Sequence, residues 1–257
     1  MLLILSGSHR RYKYINNVLL NSYPDARIII QEDFKGDYMG KYSQDSSYDT
    51  NTIKLFENHM KLRDLTEEHY FPDNRFHFQQ NTESIHVTAK ELNSDRIVEF
   101  ICQDRPSVVF VFGVGVLQSK VLECLDGVPI INLHFGLSPY FRGSDTLLWP
   151  LYLQNPGCIG ITLHQIDEKI DHGPIYHQQY TDFDESDTIH DVFCKTILQG
   201  KRPTLTLIDL LFNGVELEPI PTRQVGKMFY SGEFTPRHLK TVYDLVNDGM
   251  LKRYLAN

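Results

Sequence analysis

The sequence has no long hydrophobic run, few cysteines and no excess of basic residues, and each lack argues against a class of protein. Its longest apolar stretch spans 106–117, well short of the ~20 residues that a membrane-spanning helix needs, so we expect no membrane partner. Cys102, Cys124, Cys158 and Cys194 are widely spaced, which argues against a zinc site and favours reduced, buried thiols. A formal net charge of -8 opposes general binding to nucleic acid.

The amino-terminal residues do not follow the order of a secretory signal. Apolar residues come first, at 2–5, and the basic residues follow at 10–13. A signal peptide places its basic residues ahead of its apolar segment. The sequence therefore predicts a cytoplasmic protein.

Strand-like and helix-like segments alternate along most of the chain. The apolar runs predict buried strands, at 2–6, 26–33, 107–117, 128–133, 158–166 and 174–180. Amphipathic segments between them predict helices, at 52–70, 91–105 and 119–125. This alternation predicts an α/β fold with a mostly parallel, Rossmann-like sheet flanked by helices. We expect a catalytic domain at 1–214 and a small carboxy-terminal subdomain at 215–257, because Asn213 and Gly214 end the last long helix.

Two of the helices carry more detailed expectations. The helix at 52–70 has apolar residues on one face, which predicts packing through Ile53, Phe56, Met60, Leu62 and Leu65. The helix that ends at Phe212 is predicted to have Asp184 or Ser186 as its cap and a break near Gly200.

Asn132 and His134 form the first half of a candidate site. Both lie at the carboxyl end of a predicted buried strand, within the segment 131–151, at the end that faces the active crevice of an open α/β sheet. Alternate residues of a strand share one face, so the amide and the imidazole can converge on one substrate atom.

The second half is an acid-rich loop between two predicted strands. It places Asp167, Glu168 and Asp171 close together, and a carboxylate beside an imidazole can orient it and sustain its charge. Taken one at a time, these residues are also typical of an ordinary structural histidine and a solvated turn.

The segments NLHFGLSPYFRG and GITLHQIDEKIDHGPI resemble the two signature motifs of the 10-formyltetrahydrofolate-dependent formyltransferases. The resemblance is strong over about residues 100–180. It implies a catalytic trio of Asn132, His134 and Asp171, a formyl donor of 10-formyltetrahydrofolate, no metal, and a homodimer. It also implies a donor site, made by Val114, Gly115, Val116, Leu117, Ile166, Asp167, Glu168, Lys169 and Asp171.

The expected chemistry is formyl transfer to an amine. Negative charge builds on the formyl oxygen as a neutral amine attacks the formyl carbon, and Asn132 with a protonated His134 can stabilise it as fixed donors. Asp171 would keep His134 charged and oriented, and would receive the amine proton directly or through water.

The resemblance favours a nucleotide-linked sugar as the acceptor. Fewer than about 50 residues follow the last long helix, too few for the further nucleic-acid-binding domain of the methionyl-tRNA enzymes. Glycinamide ribonucleotide enzymes usually read His-Pro-Ser-Leu-Leu-Pro where this chain reads His-Phe-Gly-Leu-Ser-Pro. The sequence at 136–143 resembles more closely that of enzymes that formylate dTDP- or GDP-linked 4-amino-4,6-dideoxysugars for O-antigen and lipopolysaccharide synthesis.

The acceptor's diphosphate needs local positive charge on an acidic protein. We expect substrate contacts from two segments, at Ser8, His9, Arg10, Ser138, Tyr140, Arg142 and Gly143. Other cations and rings could contribute or simply be solvated or packed, namely Arg11, Lys13, Tyr38, Tyr42 and Phe141. Alternatives remain a glycinamide ribonucleotide-type enzyme, a formyltetrahydrofolate hydrolase, and a non-catalytic folate or nucleotide-sugar binding protein.

Overall fold

The structure is a computed structural model, and it describes residues 1–32, 42, 45–72, 82–222 and 226–256. Most of the Tyr-rich segment before residue 50, including Tyr38, lies outside the described residues. Among the described helices, none is long and apolar enough to cross a membrane.

The main sheet has seven strands in the order β3-β2-β1-β4-β5-β7-β8. The first five strands along the chain pair in parallel, while β7 and β8 pair antiparallel, so the prediction of a mostly parallel sheet is confirmed. A second, two-stranded sheet joins β6 and β9 in parallel. The strands are β1 (Leu2–Gly7), β2 (Arg27–Gln31), β3 (Ser84–Val87), β4 (Val108–Phe112), β5 (Ile130–Phe135), β6 (Phe141–Gly143), β7 (Gly160–Gln165), β8 (Ile175–Tyr180) and β9 (Lys227–Phe229).

Helices cover both faces of the main sheet. They are α1 (Arg10–Ser22), α2 (Thr50–Tyr70), α3 (Asp95–Gln103), α4 (Ser119–Cys124), α5 (Leu148–Tyr152), α6 (Ile189–Phe212), α7 (Pro236–Asn247) and α8 (Met250–Leu255). One core lies on the face that holds α1 and α6, and a second lies on the face that holds α3 and α4.

Strand β4 is shorter than the apolar run that predicted it. The strand ends at Phe112, and Gly113 has a φ of 71°, a conformation that glycine adopts without strain. A Cβ at Gly113 would also collide with the Tyr12 ring. Residues 114–117 are therefore a loop at the carboxyl edge of the sheet, next to β5.

The carboxy-terminal residues share a hydrophobic core with the catalytic half of the chain. Phe229, Leu239 and Met250 belong to one buried cluster with Phe141 and Trp149. The division into residues 1–214 and 215–257 stays a prediction, and this shared core shows that the two parts pack tightly.

Helix α2 buries polar residues and only part of the predicted apolar face, from which Phe56 packs against a hydrophobic core. Thr52, His59 and Glu67 are its buried side chains, whereas Leu62 and Leu65 are exposed. The helix packs against α6 and α7, whose facing groups include polar side chains, so the expected apolar packing through Leu62 and Leu65 is wrong.

Two buried histidines meet one tyrosine where α2, α6 and α7 pack. His59 Nδ1 and His190 Nε2 lie 3.1 Å and 3.2 Å from the Tyr243 hydroxyl. Burial lowers the pKa of His59 to about 3 and that of His190 to about 4. Both rings are therefore neutral at pH 7. Below about pH 6.5 the unfolded chain would bind more protons than the folded chain, because its histidines have their ordinary pKa.

This arrangement predicts a loss of stability in acid. The folded pKa values lie below the unfolded value, so the free energy of unfolding should fall as pH drops from about 6.5 towards 4, by up to about 1.4 kcal/mol per pH unit for each histidine. Urea unfolding between pH 8 and 4.5 measures the slope. His59→Gln should flatten it, while His69→Gln, at an exposed position on the same helix, should not. Equal slopes in both variants would contradict this interpretation.

The expectation of reduced, buried thiols is wrong for one pair of cysteines. Cys102 and Cys124 form a disulfide between α3 and the end of α4, with their Cα atoms 6.6 Å apart, and Cys102 is exposed. The sequence alone does not predict this pair, because 22 residues separate the two cysteines and only the packing of α3 on α4 brings them together. Cys158 and Cys194 remain free thiols, of which Cys194 is buried.

Candidate active site

Strand β5 carries Asn132 and His134 to the carboxyl edge of the sheet. Asn132 lies beside Val111 of β4 on one side and opposite His164 of β7 on the other, and His134 lies opposite Thr162. Both residues therefore sit at the place where the sheet changes from parallel to antiparallel pairing, on the same face of the strand. The predicted convergence of the two side chains is present in the structure.

Asp171 joins the two strand residues from the loop between β7 and β8. Its Oδ1 accepts a hydrogen bond of 3.2 Å from Asn132 Nδ2, and its Oδ2 lies 3.4 Å from His134 Nδ1. The backbone N–H of Gly143 donates to the same Oδ2 at 2.8 Å. Asp171 has a φ of 47°, a left-handed conformation that aspartate and asparagine tolerate better than most residues.

These contacts keep the carboxyl group ionised. Burial by itself would raise the pKa of Asp171, but His134, His164 and the Gly143 N–H outweigh it and hold that pKa well below its usual range. Carboxylates that accept several hydrogen bonds and face cationic partners behave in this way. Asp171 is therefore a fixed negative charge at the bottom of the site.

His134 is held between two acceptors. Its Nε2 lies 2.8 Å from the carbonyl oxygen of Phe141 and its Nδ1 faces Asp171, so only the doubly protonated ring donates to both. Burial lowers the pKa of His134, and the Asp171 charge opposes that effect. The protonation of His134 therefore depends on Asp171.

His164 is a member of the cluster that sequence reasoning missed. It is buried, and its Nε2 lies 3.0 Å from Asn132 Nδ2 and 3.4 Å from Asp171 Oδ1. Its Nδ1 contacts the Gln165 carbonyl oxygen at 2.8 Å, which places a proton on Nδ1 and leaves Nε2 facing both the Asn132 amide and the Asp171 carboxylate. The motif GITLHQ contains His164, but only the antiparallel register shows that it lies directly opposite Asn132.

The loop after β5 is held by hydrogen bonds next to the cluster of Asn132, His134 and Asp171. Ser138 is fully buried: its N–H donates to Thr162 Oγ1 at 3.0 Å and its hydroxyl donates to the Asp171 carbonyl at 3.1 Å. Gly143 has a φ of 93°, and a Cβ there would collide with the Phe229 carbonyl. The structure thus shows Ser138 and Gly143 holding Asp171 in place, and their predicted contacts with substrate stay predictions.

The predicted donor residues lie on two loops beside the cluster. Val114 and Ile166 pack at the margin of the same hydrophobic core, and Leu117 is buried while Val116 is exposed. Two residues that the sequence analysis missed support the first loop: Gln31 Oε1 accepts from the Gly115 N–H at 2.9 Å, and Asn93 Nδ2 donates to the Val116 carbonyl at 3.0 Å.

The second loop is ordered by its own side chains. Asp167 accepts from the Lys169 N–H at 2.9 Å and lies 3.1 Å from His172 Nδ1. Glu168 and Lys169 are exposed. This part of the loop therefore stands open to solvent beside the buried Asp171.

The amino-terminal cations are already paired with α2. Arg10 Nη2 lies 3.7 Å from Glu68, and Arg11 forms a close ion pair with the buried Glu67. His9 precedes α1, where burial and then the charge of Arg11 lower its pKa to about 4. The Ser8 hydroxyl and His86 hold the pKa of the Glu32 carboxyl below its usual range, His86 having the larger effect.

The aromatic candidates differ in their exposure. Tyr42 is buried and packs edge-on against Tyr48 and Phe56, so it lies in the interior rather than facing a substrate. Phe141 is buried as well, whereas Tyr140 is exposed.

Comparison with known proteins decides the family. The formyl transferase family profile matches residues 31–204, which include the whole Asn132, His134, Asp171 and His164 cluster. The chain belongs to the formyl transferase family. The family match ends within α6, so β9, α7 and α8 lie beyond it.

Formyl transferases of several kinds resemble the chain. The bifunctional polymyxin resistance protein ArnA of Wigglesworthia glossinidia brevipalpis is 29% identical over 106 residues, which cover 41% of this chain and 16% of that protein. The dTDP-4-amino-4,6-dideoxyglucose formyltransferase of Mycobacterium bovis is 29% identical over 90 residues, covering 35% of this chain and 38% of that protein. The chain thus matches less than half the length of either relative.

Solved structures share the fold over nearly the whole chain. A 4-N formyltransferase from Francisella tularensis superposes with a TM-score of 0.57 at 17% identity, covering 94% of this chain and 86% of that one. A phosphoribosylglycinamide formyltransferase from Anaplasma phagocytophilum has a TM-score of 0.58 at 15% identity, covering 91% and 98%. At these identities the similarity establishes the formyl transferase fold.

His164 provides a test of the cluster in this formyl transferase. We expect His164→Leu to lower kcat by up to about 100-fold, because a misplaced Asn132 and Asp171 no longer meet the reacting atoms. His164→Gln, which keeps an acceptor near the Asn132 amide, should recover part of the rate. Steady-state kinetics would separate this positioning role from packing, since equal losses in both variants with unchanged stability would contradict it.

Proposed function

We propose that the chain transfers a formyl group from 10-formyltetrahydrofolate to the amine of a nucleotide-linked 4-amino-4,6-dideoxysugar. The observation that carries the proposal is the cluster of Asn132, His134 and Asp171 at the carboxyl edge of β5, in a member of the formyl transferase family. An amide, an imidazole and an ionised carboxylate within hydrogen-bonding reach of one another suit acyl transfer to nitrogen.

Each member of the trio has a separate role. Asn132 and His134 supply N–H groups to the formyl oxygen as negative charge develops there. In the structure these groups are engaged by Asp171, His164 and the Phe141 carbonyl, so the formyl oxygen must exchange with one of these partners. Asp171 orients His134 and would relay, directly or through water, the proton that the amine loses when its nitrogen bonds to the formyl carbon. The bond between that carbon and the folate nitrogen then breaks, and tetrahydrofolate leaves carrying the proton.

The residues of the two neighbouring loops fit the proposed donor. Val114 and Ile166 offer half-buried apolar surface at the edge of one hydrophobic core, which suits a flat heteroaromatic ring, and the backbone of 114–117 and 166–171 offers polar groups around it. Bound there, the folate would supply the activated formyl carbon. The ring would lie beside Asn132, because both loops follow strands that adjoin β5.

The proposed acceptor rests on the character of the relatives and on the loop after His134. The Mycobacterium bovis relative acts on dTDP-4-amino-4,6-dideoxyglucose, and the Francisella tularensis structure is a 4-N formyltransferase. We extend the proposal to a dTDP- or GDP-linked acceptor used in O-antigen synthesis, to a cytoplasmic location and to a homodimer.

A glycinamide ribonucleotide acceptor is the second candidate. The Anaplasma phagocytophilum structure favours it, because it superposes as well as the 4-N formyltransferase does. The two acceptors share an amine and a phosphate, so the fold alone is compatible with both. Formate release without an acceptor would instead indicate a hydrolase, in which the same trio directs water.

A turnover assay followed by mass spectrometry tests the proposal. The purified protein would receive 10-formyltetrahydrofolate and a panel of dTDP- and GDP-linked 4-amino-4,6-dideoxysugars, with glycinamide ribonucleotide as the comparison acceptor. Formylation of one aminosugar at a rate well above that of glycinamide ribonucleotide is the expected result. Formylation of glycinamide ribonucleotide alone, or formate release alone, would overturn it, and donor binding without turnover would indicate a binding protein.

A further inference from the structure

Strand β6 links the catalytic cluster to the carboxy-terminal strand β9. On one edge of β6, the Phe141 carbonyl contacts His134 and the Gly143 N–H donates to Asp171. On the other edge, the Tyr140 carbonyl accepts from the Lys227 N–H at 3.3 Å and the Ser144 N–H donates to the Phe229 carbonyl at 2.8 Å. The strand beyond the family match is therefore one strand away from the reacting groups.

The two faces of this small sheet have opposite character. The inner face is buried, with Phe141 and Phe229 stacked 5.8 Å apart and Trp149 stacked 4.6 Å from Phe229. Because side chains alternate along a strand, Tyr140 and Arg142 lie on the outer face. The register pairs Arg142 with Met228, so Met228 shares that outer face.

The outer face presents two exposed tyrosines and a cation. Tyr140 is 56% exposed and Tyr230, at the end of β9, is 61% exposed. Arg142 follows Tyr140 by two residues and pairs with Met228, and its Nε is buried without a hydrogen-bond partner among the described residues. An unpaired buried donor of a guanidinium costs free energy unless a ligand satisfies it, so this face points to an anionic ligand with a ring to stack.

We propose that the outer face of β6 and β9 binds the nucleoside diphosphate part of the acceptor, with Met228 and Tyr230 forming a wall of the site. The proposal rests on the proposed function and assigns it residues that the family match does not include. Arg142 would pair with the diphosphate and Tyr230 would stack on the base or on the apolar face of a sugar ring.

Charge and position both favour the outer face of β6 and β9, rather than Arg10 and Arg11, as the site for the diphosphate. The protein is acidic overall, with a formal net charge of -8, so a diphosphate requires a local cation. Arg10 and Arg11 are already paired with Glu68 and Glu67, whereas the structure shows no ion pair for Arg142 among the described residues. Arg142 also directly precedes Gly143, whose N–H donates to Asp171, so a diphosphate paired with Arg142 would lie next to the reacting groups.

The side chain of Tyr230 offers a clean test. Tyr230→Ala should raise KM for the nucleotide-linked aminosugar by about tenfold, the loss expected for one stacked ring, and should leave kcat and KM for 10-formyltetrahydrofolate within about twofold. Tyr230→Phe, which keeps the ring, should raise KM for the acceptor less than Tyr230→Ala does. Tyr180→Ala is the matched control, because Tyr180 is 65% exposed on β8, and it should change nothing.

Two outcomes would overturn the inference without touching the proposed function. An unchanged acceptor KM in Tyr230→Ala is one, and a raised KM for 10-formyltetrahydrofolate instead of the acceptor is the other. Calorimetric titration with dTDP and GDP gives a second measurement, in which Tyr230→Ala should weaken binding of the preferred nucleotide by the same factor. If the unaltered protein formylates no aminosugar at all, the proposed function fails, and this inference fails with it.

Discussion

Asp171→Asn is expected to lower kcat by about 10²–10⁴-fold. The replacement removes the negative charge that opposes the effect of burial on His134, so the pKa of that imidazole falls further and the protonated ring becomes harder to form. It also presents an amide N–H₂ to a site where Asn132 and the Gly143 N–H both donate. Steady-state turnover with saturating donor and acceptor measures the loss.

Asparagine is the appropriate replacement because it isolates charge from conformation. Asp171 has a φ of 47°, and asparagine tolerates left-handed backbone as aspartate does. Asp182→Asn, at an exposed position just after β8, is the matched control and should retain full activity. A circular dichroism spectrum and an unfolding midpoint close to those of the unchanged protein would show that Asp171→Asn still folds. Near-normal turnover in that folded variant would remove Asp171 from the proposed mechanism.

The convergence of Asn132 and His134 could be predicted because its signal is local, whereas Asp171 was singled out by the family resemblance of its motif. Asn132 and His134 are two residues apart on a strand, so the alternation of side chains places them together whatever the rest of the fold does. Asp171 followed from its motif, and the structure brings all three residues into contact. The mostly parallel sheet likewise followed from the order of strands and helices.

His164 escaped prediction because its role depends on register. The strand β7 was predicted, but a period of two does not say which residue of a neighbouring strand lies opposite Asn132. The antiparallel register of β7 with β5 places His164 opposite Asn132. The contact of β6 with β9 is harder still, since two three-residue strands far apart in sequence carry no measurable periodicity.

The helices show where periodicity alone misleads. Helix α6 runs unbroken through Gly200 and Pro203, because its buried face packs on the sheet, with Gly200 against Ile161 and Leu133. Its cap is Thr188, whose hydroxyl and partner Asp191 form a capping box, rather than Asp184 or Ser186. Tertiary packing overrode the local signal at Gly200, whereas the cap follows another local signal, the spacing of Thr188 and Asp191.

His134→Asn is expected to lower kcat by about 10²–10³-fold, the cost of losing one preorganised donor to a developing negative charge. The ring occupies a buried position between Phe141 and Asp171, and asparagine is too short to reach both acceptors. KM for either substrate should change little, since the interaction that is lost forms mainly in the transition state.

A control substitution at another histidine separates the loss of this interaction from a general effect on the fold. His177→Asn replaces an exposed histidine on β8 and should retain the rate of the unchanged protein. Formate release without an acceptor should fall in His134→Asn together with amine formylation, because both reactions place negative charge on the same formyl oxygen. A variant that lost amine formylation but kept formate release would show that His134 serves the acceptor instead, and would move the donors for the oxygen to Asn132 and the backbone.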